Sequence, residues 1–91
     1  MDKKAQFDLM EKIVRELDDL QNSQTAVLKK ISQIEADNIN LNNKTLENSL
    51  SELFSSIDTS LESVSKLHDT FREETDKFKT DHKLDQLPDL E

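Results

Sequence analysis

From Met10 to Leu41 the apolar residues recur at spacings that alternate between three and four. Written as heptads, the a positions are Met10, Leu17, Gln24, Ile31 and Asn38, and the d positions are Ile13, Leu20, Val27, Ile34 and Leu41. A second series begins at Leu46. Its a positions are Leu50, Ile57, Val64, Phe71 and Phe78, and its d positions are Leu46, Leu53, Ser60, Leu67 and Glu74. A 3.5-residue repeat is the pattern of helices that pack knobs-into-holes.

The two series are out of phase. Continuing the first would place an a residue at position 52, whereas the second has it at Leu50. Coiled coils absorb insertions of three or four residues by local over- or underwinding. This shift is neither, so a single straight rod is disfavoured. The break falls in Asp37-Asn38-Ile39-Asn40-Leu41-Asn42-Asn43-Lys44, the one asparagine-dense stretch. Asparagine tolerates the left-handed conformation and caps helix N-termini. It stands in for glycine, of which the chain has none. The pattern therefore predicts an all-α fold: a hairpin over residues 1–80, with helices over about 3–37 and 44–79 joined by an Asn-rich turn at 38–43. Residues 81–91, acidic and broken by Pro88, read as a frayed tail or as a short linear motif built on Leu84, Leu87 and Leu90.

In an antiparallel coiled-coil hairpin, a residues meet d residues. A register in which partner numbers add to 84 centres the fold on Asn42 and pairs Ile34 with Leu50, Ile31 with Leu53, Val27 with Ile57, Leu20 with Val64, Leu17 with Leu67 and Ile13 with Phe71. It also sets the two mid-seam polar residues, Gln24 and Ser60, against each other. Neighbouring registers would leave the amide facing leucine, so this one is favoured as a register-setting polar layer.

A further column, e, carries Phe7, Val14 and Leu28 on the first helix and Phe54 and Leu61 on the second. It widens the apolar stripe past a coiled-coil seam toward that of a bundle helix. Two helices cannot bury so much, so a second hairpin, identical or not, is expected to complete a four-helix bundle. Phe7, Val14, Leu28, Phe54, Leu61, Phe71 and Phe78 are the candidate partner-facing residues. On the second helix the g column reads Ser49, Ser56, Ser63, Thr70, small enough for another helix to approach closely.

Charge narrows the classes of partner. The net charge is −8, of which −7 falls in residues 46–91. An acidic surface with four Phe as its only aromatics does not suit nucleic acid. No apolar run is longer than Ala26-Val27-Leu28, so no membrane span or signal-peptide core is expected. The location expected is cytoplasmic, with leaderless export of folded helices still compatible. With no cysteine, thiolate metal sites and disulfides are absent. His68 and His82 lie about 21 Å apart along a helix, too far to share a metal, and both are expected on solvated flanks. Every serine falls within a predicted helix whose N–H groups are already engaged, which leaves no oxyanion hole. No catalytic residue, cofactor, metal or small-molecule substrate is expected.

Phe54-x-x-x-Asp58, with the chain's length and lack of cysteine, resembles in outline the small helical hairpins of type VII secretion, relatives of the WXG proteins and the adaptors of LXG toxins. Trp-x-Gly is absent from the turn, and the Phe-x-x-x-Asp sits inside a helix rather than after it. The resemblance implies an adaptor or chaperone that binds a helical toxin segment. The residues alone point more broadly to a non-catalytic protein–protein interaction module, a scaffold or adaptor. A third reading is an acidic inhibitor of a basic enzyme, opposed by the lysines interleaved along the second helix.

Overall fold

A computed structural model describes residues 1–84 as two long helices, α1 (Lys3–Leu41) and α2 (Lys44–Asp81), packed against each other as an antiparallel hairpin. The hairpin expected from the phase break is the fold. Asp2 starts α1: its side chain accepts a hydrogen bond from the Ala5 N–H at 2.7 Å, satisfying one of the free donors of the first turn.

The turn is tighter than the sequence predicts. α1 continues through Leu41, and only Asn42 and Asn43 lie outside the helices. Asn42 adopts the left-handed conformation (φ 56°, ψ 45°), where asparagine replaces the usual glycine. Asn43 is extended and caps α2, accepting from the Leu46 N–H at 3.0 Å. Asn38 remains helical and reaches across the turn. Its Oδ1 accepts from the Asn43 N–H and its Nδ2 donates to the Asn43 carbonyl, each at 3.0 Å. This side chain is buried, with both ends of its amide engaged. A polar residue in the apolar stripe thus fastens the chain reversal from inside.

At the other end α2 runs to Asp81, two residues beyond the expected boundary, with Lys79 in its last turn where a cation complements the helix dipole. His82 and Lys83 then leave the helix, Lys83 with φ 57°. Leu84 is described; Leu87 and Leu90, the rest of the candidate linear motif, lie outside the described residues.

Cross-helix contacts fix the level of pairing. Gln24 Nε2 donates to Ser60 Oγ at 2.8 Å, the pair whose numbers add to 84. One rung away, Gln21 Nε2 donates to Ser65 Oγ, and His68 Nε2 lies 2.7 Å from Asp18 Oδ1; both pairs add to 86. The open end is closed by two reciprocal cation–ring contacts, Lys3 over Phe78 and Lys79 over Phe7, each just under 6 Å.

The columns that meet differ from those expected. The seam is lined mainly by a and e residues, with Ile13 and Ser60 its half-buried d members. Phe7, Ile31 and Leu50 are its buried apolar members, and Met10, Val14, Leu17, Leu28, Phe54, Ile57, Leu61, Val64, Phe71 and Phe78 are half-buried. Five of the six expected apolar a-to-d layers lose one member, because Leu20, Val27, Ile34, Leu53 and Leu67 turn outward, while Ile13 and Phe71 both stay half-buried. The physical reason is helix geometry. The e column lies about 40° to one side of a, and d about 60° to the other, so two facing helices cannot bury both. In this hairpin the side carrying Phe7, Phe54 and Leu61 faces inward.

A two-helix seam makes a thin core. Among the described residues no side chain is completely buried. The chain exposes 7034 Å², whereas a compact monomer of its mass would expose about 5,400 Å².

Candidate interaction surface

Most of the apolar residues turned away from the seam share one column. On α1 they are Leu20 (45% exposed), Val27, Ile34 (45%) and Leu41; on α2 they are Leu46, Leu53 (47%) and Leu67 (54%). All of these occupy d positions, whereas Ile39, near the turn, is exposed at a b position. Reversing the direction of the second helix reverses its sense of rotation, and facing the partner reverses it again. The two d columns therefore emerge on the same side of the hairpin. They form one stripe along its length, with Ser60 in the middle and Glu74 toward the open end. Leu9, on the adjoining g column, is a further exposed apolar residue beside it.

The borders of this stripe are the g columns. On α1 they hold Glu16, Ser23, Lys30 and Asp37, and on α2 Ser49, Ser56, Ser63 and Thr70, all exposed. From Leu20 to Leu41 and from Leu46 to Leu67, the d and g columns carry one lysine and one aspartate, Lys30 and Asp37. The stripe is therefore close to neutral on a chain of net charge −8. The acids of α2 stand mainly elsewhere: Glu52, Asp58, Glu62, Asp69, Glu73 and Asp76 belong to the b, c and f columns, and all are exposed.

Of the partner-facing candidates read from the sequence, Phe7 is 7% exposed and Val14, Leu28, Phe54, Leu61, Phe71 and Phe78 are half-buried. The structure brings them together, but along the hairpin's own seam. Phe54 packs inward there, while Asp58, four residues on, is exposed. The repeat alone assigns the d stripe to the core. A signal for the correct choice existed in the polar e residues, since Gln21 and His68 make sense inside only if Ser65 and Asp18 stand opposite.

His68 corrects the expectation of a solvated flank. It is 7% exposed, with Nε2 at 2.7 Å from Asp18 Oδ1 and Nδ1 at 3.1 Å from Asp69 Oδ1. The Nε2 contact has ion-pair distance but not hydrogen-bond geometry. Burial follows from its e position, and the carboxylates at the rim give a polar ring its partners. His82 is exposed and its ring lies 4.4 Å from that of Phe78.

The opposite side of the hairpin is polar. One open depression of about 230 Å³ is lined by Glu11, Val14, Arg15, Arg72, Thr75 and Asp76. Another, of about 320 Å³, lies by the turn between Glu35, Asn38, Ile39, Asn42, Glu47 and Leu50. Among the described residues no cluster of three or more His, Cys, Asp or Glu is placed to hold a metal ion. No helix among them is long and apolar enough to cross a membrane.

Comparison with family models, with curated proteins and with solved structures finds no match to this chain.

Proposed function

We propose that the chain is a non-catalytic protein–protein interaction module, a scaffold or adaptor that docks through the d stripe of its hairpin onto helical surface of another subunit. The observation that carries this reading is the row of half-exposed leucine, isoleucine and valine on one neutral face. Full burial of a large aliphatic side chain is worth about 1.5–3 kcal/mol, so covering residues already half-buried gains on the order of 1 kcal/mol each. Leu20, Val27, Ile34, Leu41, Leu46, Leu53 and Leu67 together supply enough to offset a large part of the cost of association. An amphipathic helix or helix pair suits such a face, because two parallel ridges leave a shallow groove between them.

The test is capture from the native host with wild type, Leu53→Asp and Glu62→Lys. Leu53→Asp places a charge in the stripe, and Glu62→Lys alters the opposite, acidic side. The reading expects the captured protein to be lost with Leu53→Asp and retained with Glu62→Lys. The reverse pattern, with capture abolished by moderate salt, would sink it and favour an acidic inhibitor of a basic enzyme.

A further inference from the structure

We propose that the occupant of the d stripe is a second copy of this chain, stacked face to face with both turns at the same end, so that α1 of each copy lies on α2 of the other. The proposal rests on the reading of the stripe as a docking face, and goes further in naming what covers it.

Area supports it first. The hairpin is 62 Å long, and two adjacent helices are about 20 Å wide, which offers roughly 1,200 Å² per copy. A standard stable interface takes about 800 Å² from each partner. Charge supports it second. Two copies of net charge −8 repel each other except across a neutral face with the acids directed away, which is how the stripe is built.

Register decides the arrangement. A two-fold axis along the length of the hairpin leaves every residue at its own height. The rungs between copies then inherit the spacing set within each chain by Gln21–Ser65 and Asp18–His68. At those levels Leu20 meets Leu67 of the second copy, Ile34 meets its Leu53, and Leu41 its Leu46. On the rim, Glu16 meets Thr70, Lys30 meets Ser56 and Asp37 meets Ser49. Elsewhere Val27 meets Ser60, Ile13 meets Glu74 and Leu9 meets Lys77, so three rungs are apolar on both sides and no rung sets like charges together.

The other two-fold, across the hairpin with the turns at opposite ends, does worse. Folded about Val27, it sets Glu16 against Asp37 twice. Like charges at close quarters are a penalty that the aligned arrangement avoids.

Sedimentation of the full chain, with helicity followed by circular dichroism, reads the mass directly. Twice 10.5 kDa is expected for wild type, and a shift toward the single mass for Leu53→Asp. Disulfide trapping reads the arrangement. In one chain Ser23 and Ser63 stand on the outer edges of their helices, too far apart for the ~7 Å Cα limit of a disulfide. In the aligned dimer they face each other between copies. The doubly substituted Ser23→Cys, Ser63→Cys chain should therefore oxidise to a covalent dimer, while each single change, and Val27→Cys, stays a free thiol. Ready cross-linking of Val27→Cys alone would mean turns at opposite ends and overturn the proposal. A wild type that stays monomeric at its solubility limit would overturn it too. If that monomer captures a partner that Leu53→Asp loses, the docking reading survives without self-association. If wild type is dimeric and Leu53→Asp changes neither mass nor capture, both fail.

Discussion

Replacing Asn38 tests whether one side chain holds the chain reversal. Asn38→Ala removes two hydrogen bonds to Asn43, one to its N–H and one to its carbonyl. At about 1 kcal/mol net for each bond, the loss is about 2 kcal/mol. Alanine returns about 0.6 kcal/mol through its better helix propensity, since position 38 is helical. The net cost is therefore about 1.5 kcal/mol, or roughly 6–12 °C in melting temperature for a domain of this size. Asn40→Ala is the matched control, at an exposed position two residues on in the same helix. It carries only the propensity gain and should stabilise by about 0.6 kcal/mol. Asn38→Asp separates the two bonds. It keeps an acceptor for the Asn43 N–H but turns a second oxygen toward the Asn43 carbonyl, so it should cost at least as much as alanine. Urea melts with linear extrapolation, all at one protein concentration so that any association is held constant, give the differences. Equal shifts for Asn38→Ala and Asn40→Ala would show that the clamp contributes nothing, and that the turn is held by Asn42 and the helix cap alone.

The polar layer is expected to specify alignment at a cost in stability, because Gln24 Oε1 is buried without a hydrogen-bond partner while Nε2 is bonded to Ser60. Gln24→Leu with Ser60→Leu should raise the melting temperature by roughly 4–8 °C while broadening the distribution of oligomers seen by sedimentation. Gln24→Leu alone should gain less, and a double variant melting below wild type would show that the layer stabilises the seam. At the turn, Asn42→Gly should hold stability within about 1 kcal/mol, since only the left-handed conformation is required there, whereas Asn42→Val should cost about 1–2 kcal/mol or more; equal melts for the two would mean that the turn relaxes out of that conformation.

Much of this fold was legible because its signals are local. Spacing marks the helices, the phase break marks where they part, and one polar residue in each seam selects the level at which they meet. Gln24 and Ser60 are bonded in the structure at the level their mutual polarity predicts. The choice of inward face was not legible from the repeat. Leu20 and Leu28 flank the same a column at similar angular distance, and hydrophobicity does not rank one above the other. The choice belongs to pairs across the seam: Gln21 with Ser65, and His68 with Asp18. The burial of His68 escapes the repeat for the same reason, since it depends on a carboxylate fifty positions away in sequence. The extra turn of α1 also escaped the repeat. Asn38 breaks the apolar series yet remains helical, and only the path of the chain beyond it shows its amide meeting Asn43.

The pairing of Lys3 with Phe78 places the start of α1 beside the end of α2, a full helix length from the turn. The molecule therefore responds to tension according to direction. A pull that separates those two ends loads a single rung at a time, beginning with the aromatic pair and moving inward, so each contact in turn bears the whole load. A pull that slides one helix along the other loads every rung of the seam together. The same contacts yield at low force in the first direction and resist strongly in the second, with the asparagine clamp the last to open.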